Sequence, residues 1–104
     1  MNLRIEATAE AEAREAAEWY EQQRTGLGLE FLVAVDQAIQ QIGVAPERFP
    51  RLETLPDEEL VRRHLLTRFP YAVVYEMTAS EIRIIAVAHT RRRPNYWLNR
   101  GDPP

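Results

Sequence analysis

The 104-residue chain predicts a single α+β domain in the order β-α-α-β-β-β, a helical hairpin packed on a small, mainly antiparallel sheet. Two patterns and one interval carry that prediction. Between residues 8 and 43, apolar side chains recur at helical spacing in two consecutive stretches. From residue 60 to 89 they alternate with period two, in three runs split by short polar segments. Between these halves, Ala45-Pro46-Glu47-Arg48-Phe49-Pro50 cannot continue a helix, because proline lacks an amide donor and crowds the preceding turn.

Each element follows from its residues. Leu3 and Ile5 alternate with Arg4 and Glu6, which suits a short opening strand. Thr8 is then placed to cap a helix whose first turn holds Glu10 and Glu12, acids that suit the positive end of a helix dipole. This helix runs to about Arg24, with Ala9, Ala13, Ala16, Ala17 and Tyr20 along one face, and Glu10 and Arg14 four apart. Thr25-Gly26-Leu27-Gly28-Leu29 breaks it, with Gly26 suited to a left-handed cap. A second helix to about Gly43 carries Phe31, Leu32, Val35, Ala38, Ile39 and Ile42 on its apolar face. The two make a helical hairpin. The stretch to Glu59 reads as an irregular loop, of a length that often carries function.

Three strands complete the order. Leu60 to Thr67 places Val61, Arg63, Leu65 and Thr67 on one side and Leu60, Arg62, His64 and Leu66 on the other. Tyr71 to Met77 separates Tyr71, Val73, Tyr75 and Met77 from Ala72, Val74 and Glu76. Thr78-Ala79-Ser80 turns the chain. Glu81 to His89 separates Ile82, Ile84, Ala86 and Ala88 from Arg83, Ile85, Val87 and His89. The last two strands are apolar on both faces, as strands covered on both sides are. The hairpin can cover only one face, so the other calls for a second cover.

Composition narrows the function. The absence of cysteine excludes disulfides and Cys-based zinc sites, and the absence of lysine excludes lysine chemistry. With two histidines and no evident carboxylate partner for them, no metal and no cofactor is expected. No apolar run is long enough to span a bilayer and the start has no signal-peptide core, which predicts a cytoplasmic protein with no membrane contact. The net charge of −3 hides an asymmetry: residues 1–56 hold ten acids and five arginines, residues 57–104 six acids and eight arginines. An Arg-rich half suits carboxylates or phosphates, which guanidinium groups bind through paired hydrogen bonds.

The candidate site residues lie in that half. Arg62, His64, Arg68, Arg83 and His89 are expected on one sheet face, in a shallow groove with Tyr71 and Tyr75 near it. Arg91, Arg92, Arg93, Tyr96 and Trp97 follow directly, and Arg63 sits beside Arg62. Arginines to hold phosphate, with a His or Tyr to move a proton, are ingredients of metal-free RNA cleavage. They equally make a binding groove, and a run of three arginines is more often a partner-binding patch. His89 at a strand end reads equally as a structural residue, and Tyr71 and Tyr75 read as core.

A set of short motifs spans residues 3–98 in order: Trp19-Tyr20-Glu21, Gly26-Leu27-Gly28 with Phe31-Leu32, Phe49-Pro50, Val61-Arg62-Arg63, Arg68-Phe69-Pro70-Tyr71 with Tyr75, then Ala86-Val87-Ala88-His89, Arg91-Arg92-Arg93-Pro94 and Tyr96-Trp97. In this order they resemble the RelE/ParE superfamily of toxins from bacterial type II toxin–antitoxin modules, particularly the ParE-like, plasmid stabilisation branch. The resemblance implies one toxin domain over residues 1–98, with 99–104 as a tail, and growth inhibition as the outcome. It also implies a cognate antitoxin whose acidic tail wraps the toxin and silences it in a hetero-oligomer.

The resemblance offers two targets. ParE-like members inhibit DNA gyrase by protein contact without being enzymes. RelE-like members cut mRNA on the ribosome, and their central strand typically reads Tyr-Arg-aliphatic-aliphatic-Tyr; here Ala72 stands at the arginine's place in Tyr71-Ala72-Val73-Val74-Tyr75. That departure, with the negative net charge, favours the gyrase reading. Target or antitoxin contact would fall to Arg62, Arg63, Arg68, Arg83, His89, Arg91, Arg92, Arg93, Tyr96 and Trp97. As an mRNA interferase, the chain would hold phosphate with Arg62 and Arg68, stabilise charge with Arg91, Arg92 and Arg93, and move the proton with His89 or Tyr96. A third reading is a non-toxic remnant that still binds its antitoxin.

Overall fold

A computed structural model describes residues 2–52, 60–93 and 95–99. The elements are β1 (Asn2–Ile5), α1 (Ala7–Gln23), α2 (Leu27–Val44), β2 (Val61–Leu65), β3 (Tyr71–Met77), β4 (Glu81–His89) and a short 3-10 turn, Tyr96–Asn99. The sheet order is β1-β4-β3-β2, with β1 parallel to β4 and the other pairs antiparallel. The predicted α+β order and the helical hairpin on the sheet are both present.

The hairpin is closed by one carboxylate. Glu21 near the end of α1 accepts the backbone N–H groups of Gly26 and Gly28, at 3.0 Å each, at the start of α2. These donors have no partner within the helix, so the carboxylate caps them and meets the positive end of the dipole. Gly26 is left-handed, with φ +91, but it opens α2 rather than closing α1. A Cβ on Gly28 would lie 2.6 Å from the Ala17 carbonyl oxygen, so only glycine lets the helices approach this closely. The N-cap of α1 is Glu6, not Thr8, because the chain turns directly out of β1. Glu10 and Arg14 form no ion pair.

The helix-side core contains Ala9, Ala13, Ala16 and Ala17 of α1, Phe31, Val35, Ala38 and Ile42 of α2, and Phe69, Val73, Tyr75, Ile82, Ile84 and Val87 from the sheet half. Leu32, expected in this core, is 40% exposed. Aromatic rings concentrate at one end, where Tyr20, Phe31, Phe69 and Tyr71 lie with centroids 4.9–6.2 Å apart. Such offset and edge-on pairs add to plain area burial.

β4 departs from simple alternation. Val74 pairs with Ala86 and Tyr75 with Ile84, leaving Ile85 as an extra residue in a bulge. Ile85 and Ala86 therefore both face away from the helices, and the alternation reverses beyond them. Ile82 and Ile84 share the helix side with Val87, while Ala86 and Ala88 face outward, so the expected grouping of Ile82, Ile84, Ala86 and Ala88 is corrected. The outer face holds a second cluster of Val61, Val74, Ile85, Ala86, Ala88 and Trp97, with Leu52 and Tyr96 against it. The chain thus supplies part of the second cover itself, by turning around the edge of β4. Residues 53–59 of the predicted loop, Pro94 and residues 100–104 of the predicted tail lie outside the described residues.

Candidate functional site

The outer face carries a groove of about 390 Å³. Its floor is made of small side chains, Ala72 and Val74 from β3 and Ala88 from β4. Pro50, Arg51 and Leu52 border it, and Arg63 of β2 enters from the neighbouring strand. This side is pinned to the sheet by hydrogen bonds from Leu52 N–H to the Val61 carbonyl, 3.0 Å, and from Arg63 N–H to the Pro50 carbonyl, 3.2 Å. Arg92, Arg93, Asn95, Tyr96 and Trp97 make up the C-terminal border. Four arginines line the groove, and none of its described lining residues is a carboxylate.

Glu12 of α1 builds that border. Along the outer edge of β4, pairing with β1 reaches only as far as Ile84. The Glu12 carboxylate accepts the Val87 N–H at 3.0 Å on that edge, and it also accepts the Tyr96 hydroxyl. Arg92 lies 3.8 Å from the same carboxylate and stacks over the Tyr96 ring at 3.8 Å to the centroid. Tyr96 in turn meets Trp97 edge-on, and Trp97 is only 8% exposed. One helical carboxylate therefore orients an arginine and two aromatic rings. Asn95, just before this turn, has φ 63, a left-handed conformation that asparagine tolerates better than most residues.

The structure brings only part of the expected set together. Arg63, Arg92, Arg93, Tyr96 and Trp97 line the groove, and His89 reaches its rim. Arg62 points to the helix side, where it donates to the Phe49 carbonyl at 2.6 Å and the Glu47 carbonyl at 3.3 Å. It braces the segment after α2, together with Tyr75, whose hydroxyl donates to the Pro46 carbonyl at 2.5 Å. Burial pushes the Tyr75 phenol up to about 12, with Arg62 opposing. Arg68 pairs with Glu30 at 2.7 Å, and Arg24 joins the same carboxylate at 3.0 Å, so these bonds hold Glu30 below the usual carboxylate range. Arg83 is bound by Glu6 and Glu76, at 3.1 and 3.3 Å, toward the other end of the outer face. Arg91 is exposed and lends its backbone N–H to His89 Nδ1 at 3.0 Å.

The expected single face of Arg62, His64, Arg68, Arg83 and His89 is therefore corrected. His64 lies on the helix side, stacked on Phe49 with centroids 3.9 Å apart and its Nε2 2.6 Å from Gln41 Oε1. Burial, then the nearby Arg48 charge, holds its pKa below 6.5. The His89 ring meets Tyr71 edge-on at 5.1 Å, and Tyr71 belongs to the helix-side aromatic group. The bulge accounts for the split between Arg83 and His89, since it reverses alternation between them. Tyr71 and Tyr75 both belong to the helix-side core, away from the groove. Their phenols are raised mainly by burial.

Sequence reading missed Glu12, Arg51 and the small floor residues. Glu12 follows Ala9 by three positions at the border of the alanine face, a weak signal for a buried role. Its partners lie 75 and 84 residues away.

Fold and motifs together identify the class: the chain belongs to the ParE toxin family of type II toxin–antitoxin systems, parDE, which it matches over residues 3–94. Among solved structures, a chain of the chromosomal ParDE toxin–antitoxin system from P. aeruginosa is similar, with a TM-score of 0.65 and 22% identity over 86% of this chain and 95% of that one. That likeness concerns the fold. No curated protein sequence matches the chain. Among the described residues, no helix is long and apolar enough to cross a membrane.

Proposed function

We propose that this toxin acts by protein contact, with DNA gyrase as its target, and that a cognate antitoxin neutralises it in a hetero-oligomer. The observation that carries the reading is Ala72. It lies on the groove floor, 3% exposed, where the nuclease branch is expected to carry an arginine. The groove's centre is thus methyl groups, and its arginines stand around the border. Two further features support contact over cleavage. The Tyr96 hydroxyl is held by Glu12, and the His89 ring lies against Tyr71. The groups that would move a proton are thus engaged within the protein, the Tyr96 hydroxyl by Glu12 and His89 Nδ1 by the Arg91 N–H.

One observation favours the RelE-like mRNA endonuclease as second reading. Arg51, Arg63, Arg92 and Arg93 line one groove with no carboxylate among its described lining residues, and such a group suits a phosphate chain. In that reading the phosphate-holding residues are Arg63 and Arg92, rather than Arg62 and Arg68.

The deciding experiment is induction of the toxin in cells lacking its antitoxin, with protein and DNA synthesis followed by separate pulse labels. Early loss of DNA synthesis with filamentation is expected. Early loss of translation with replication intact overturns the gyrase reading in favour of the nuclease. Coexpression of the cognate antitoxin is expected to restore growth.

A further inference from the structure

The two helices present very different surfaces to solvent. α1 exposes Glu10, Arg14, Glu15, Glu18 and Glu21, as a solvated helix face does. On α2, Asp36 is the one ionisable side chain among the exposed residues, and its carboxylate is engaged by the Gln40 amide at 2.8 Å. Leu29, Val33, Gln40 and Val44 follow one another at helical spacing along the line of α2 that points away from Phe31 and Ile42. Leu29 is 67% exposed, Val33 47% and Val44 86%, so nothing within the chain covers this line. Apolar and nearly uncharged, it has the composition of an interface core, where charge is depleted because its desolvation is costly.

We infer that this line pairs with its counterpart on a second copy of the chain, α2 against α2, antiparallel about a two-fold axis. Rotated by half a turn about an axis beside Asp36 and Gln37, the line falls on itself. Leu29 then meets the second copy's Val44, Val33 meets the second copy's Gln40, and Asp36 meets the second copy's Gln37. Carboxamides both donate and accept, so Gln37 and Gln40 can bond to one another and to Asp36 across the axis. A strongly charged partner finds no opposite charge along the line. The helix ends are complementary as well. At the start of α2, Arg24 and Arg68 both bind Glu30, which leaves one positive charge in excess. At its end, the last turn holds no basic residue to meet the negative end of the dipole. An antiparallel copy brings its arginines to those carbonyls, and the two opposed dipoles attract. Such a contact is isologous, so it closes as a dimer and does not propagate. α2 lies on the helix side of the sheet, so the pairing leaves the outer-face groove open in both copies and is independent of the toxin's target.

Sedimentation equilibrium of the full chain, made by cell-free synthesis, is the first test. One helix pair buries about 1,000 Å², at the low end for specific interfaces, so a micromolar dimer is expected. The measured mass should rise with concentration toward twice that of the chain. Val33→Glu puts a charge into the line and should weaken the dimer at least tenfold, with the circular dichroism unchanged. Gln22→Glu adds the same charge at an exposed site on α1 and should leave the dimer within twofold. Because the chain has no cysteine, introduced thiols report the register. Leu29→Cys mixed with Val44→Cys should give a disulfide-linked dimer under mild oxidation. Leu29→Cys alone should not, because its two copies lie about 22 Å apart along the paired helices, beyond the reach of a disulfide. A chain that stays monomeric through the micromolar range, a dimer indifferent to Val33→Glu, or Leu29→Cys linking to itself as readily as to Val44→Cys would each overturn the inference. If the chain is monomeric and Val33→Glu weakens antitoxin binding, the line belongs to that partner instead.

Discussion

The two faces of the sheet use the same strands for opposite ends. Toward the helices, β3 and β4 present Val73, Tyr75, Ile82, Ile84 and Val87, large side chains met by Phe31 and Ile42. Away from them, the same strands present Ala72, Val74, Ala86 and Ala88, with Ile85 at the bulge as the one large side chain of these two strands in that cluster, and arginines at the border. Volume on one side makes the fold; its lack on the other makes a groove. A two-sided strand can thus separate stability from recognition one residue at a time, and substitutions on the two faces should separate in what they break.

The largest effect is expected at the helix-side core. Phe31→Ala removes a ring with no exposed surface and should cost about 3–5 kcal/mol in urea unfolding, a large share of the stability of a small domain. If the protein loses less than 1 kcal/mol, the helix-side face is not its stability core. Next comes the hairpin contact. Gly28→Ala puts a methyl against the Ala17 carbonyl, and overpacking of this kind costs about 1–3 kcal/mol, read as a lower unfolding midpoint.

The smallest effect is one of pH. Unfolded, His64 titrates near 6.5; folded, burial and Arg48 hold it lower. Between the two values the unfolded chain binds the proton and the folded chain does not, so stability is full above 6.5 and falls as pH drops through that window. Unfolding curves measured on either side of 6.5 should show this slope, and His64→Gln should flatten it. A parent protein with equal stability at both would remove the partly buried, neutral histidine from the helix-side account.

Much of the helix-side face was legible in the sequence, because amphipathic periods report burial directly. Ala9, Ala13, Ala16 and Ala17, then Phe31, Val35, Ala38 and Ile42, fall on the faces their spacing predicts. The outer face was much less so. Ile84-Ile85-Ala86-Val87-Ala88 is apolar throughout, so alternation carries no sign of the bulge that reverses it. Arg62 and Arg63 are chemically identical neighbours, and only strand register sends one to brace Pro46–Phe49 and the other to the groove. Glu12 was invisible for a different reason: its partners meet it only once the chain has turned around the sheet.

The unequal strands carry one more consequence, for solubility. β4 has nine residues and β1 only four, so the parallel pairing ends halfway along a long apolar strand. An unpaired strand margin is a template on which another chain can zip and begin to aggregate. Glu12 occupies the Val87 amide there with a charged group, where an invading strand would need to bond. The same carboxylate that shapes the groove thus also sets a charged group on the strand edge, a feature that disfavours edge-to-edge pairing.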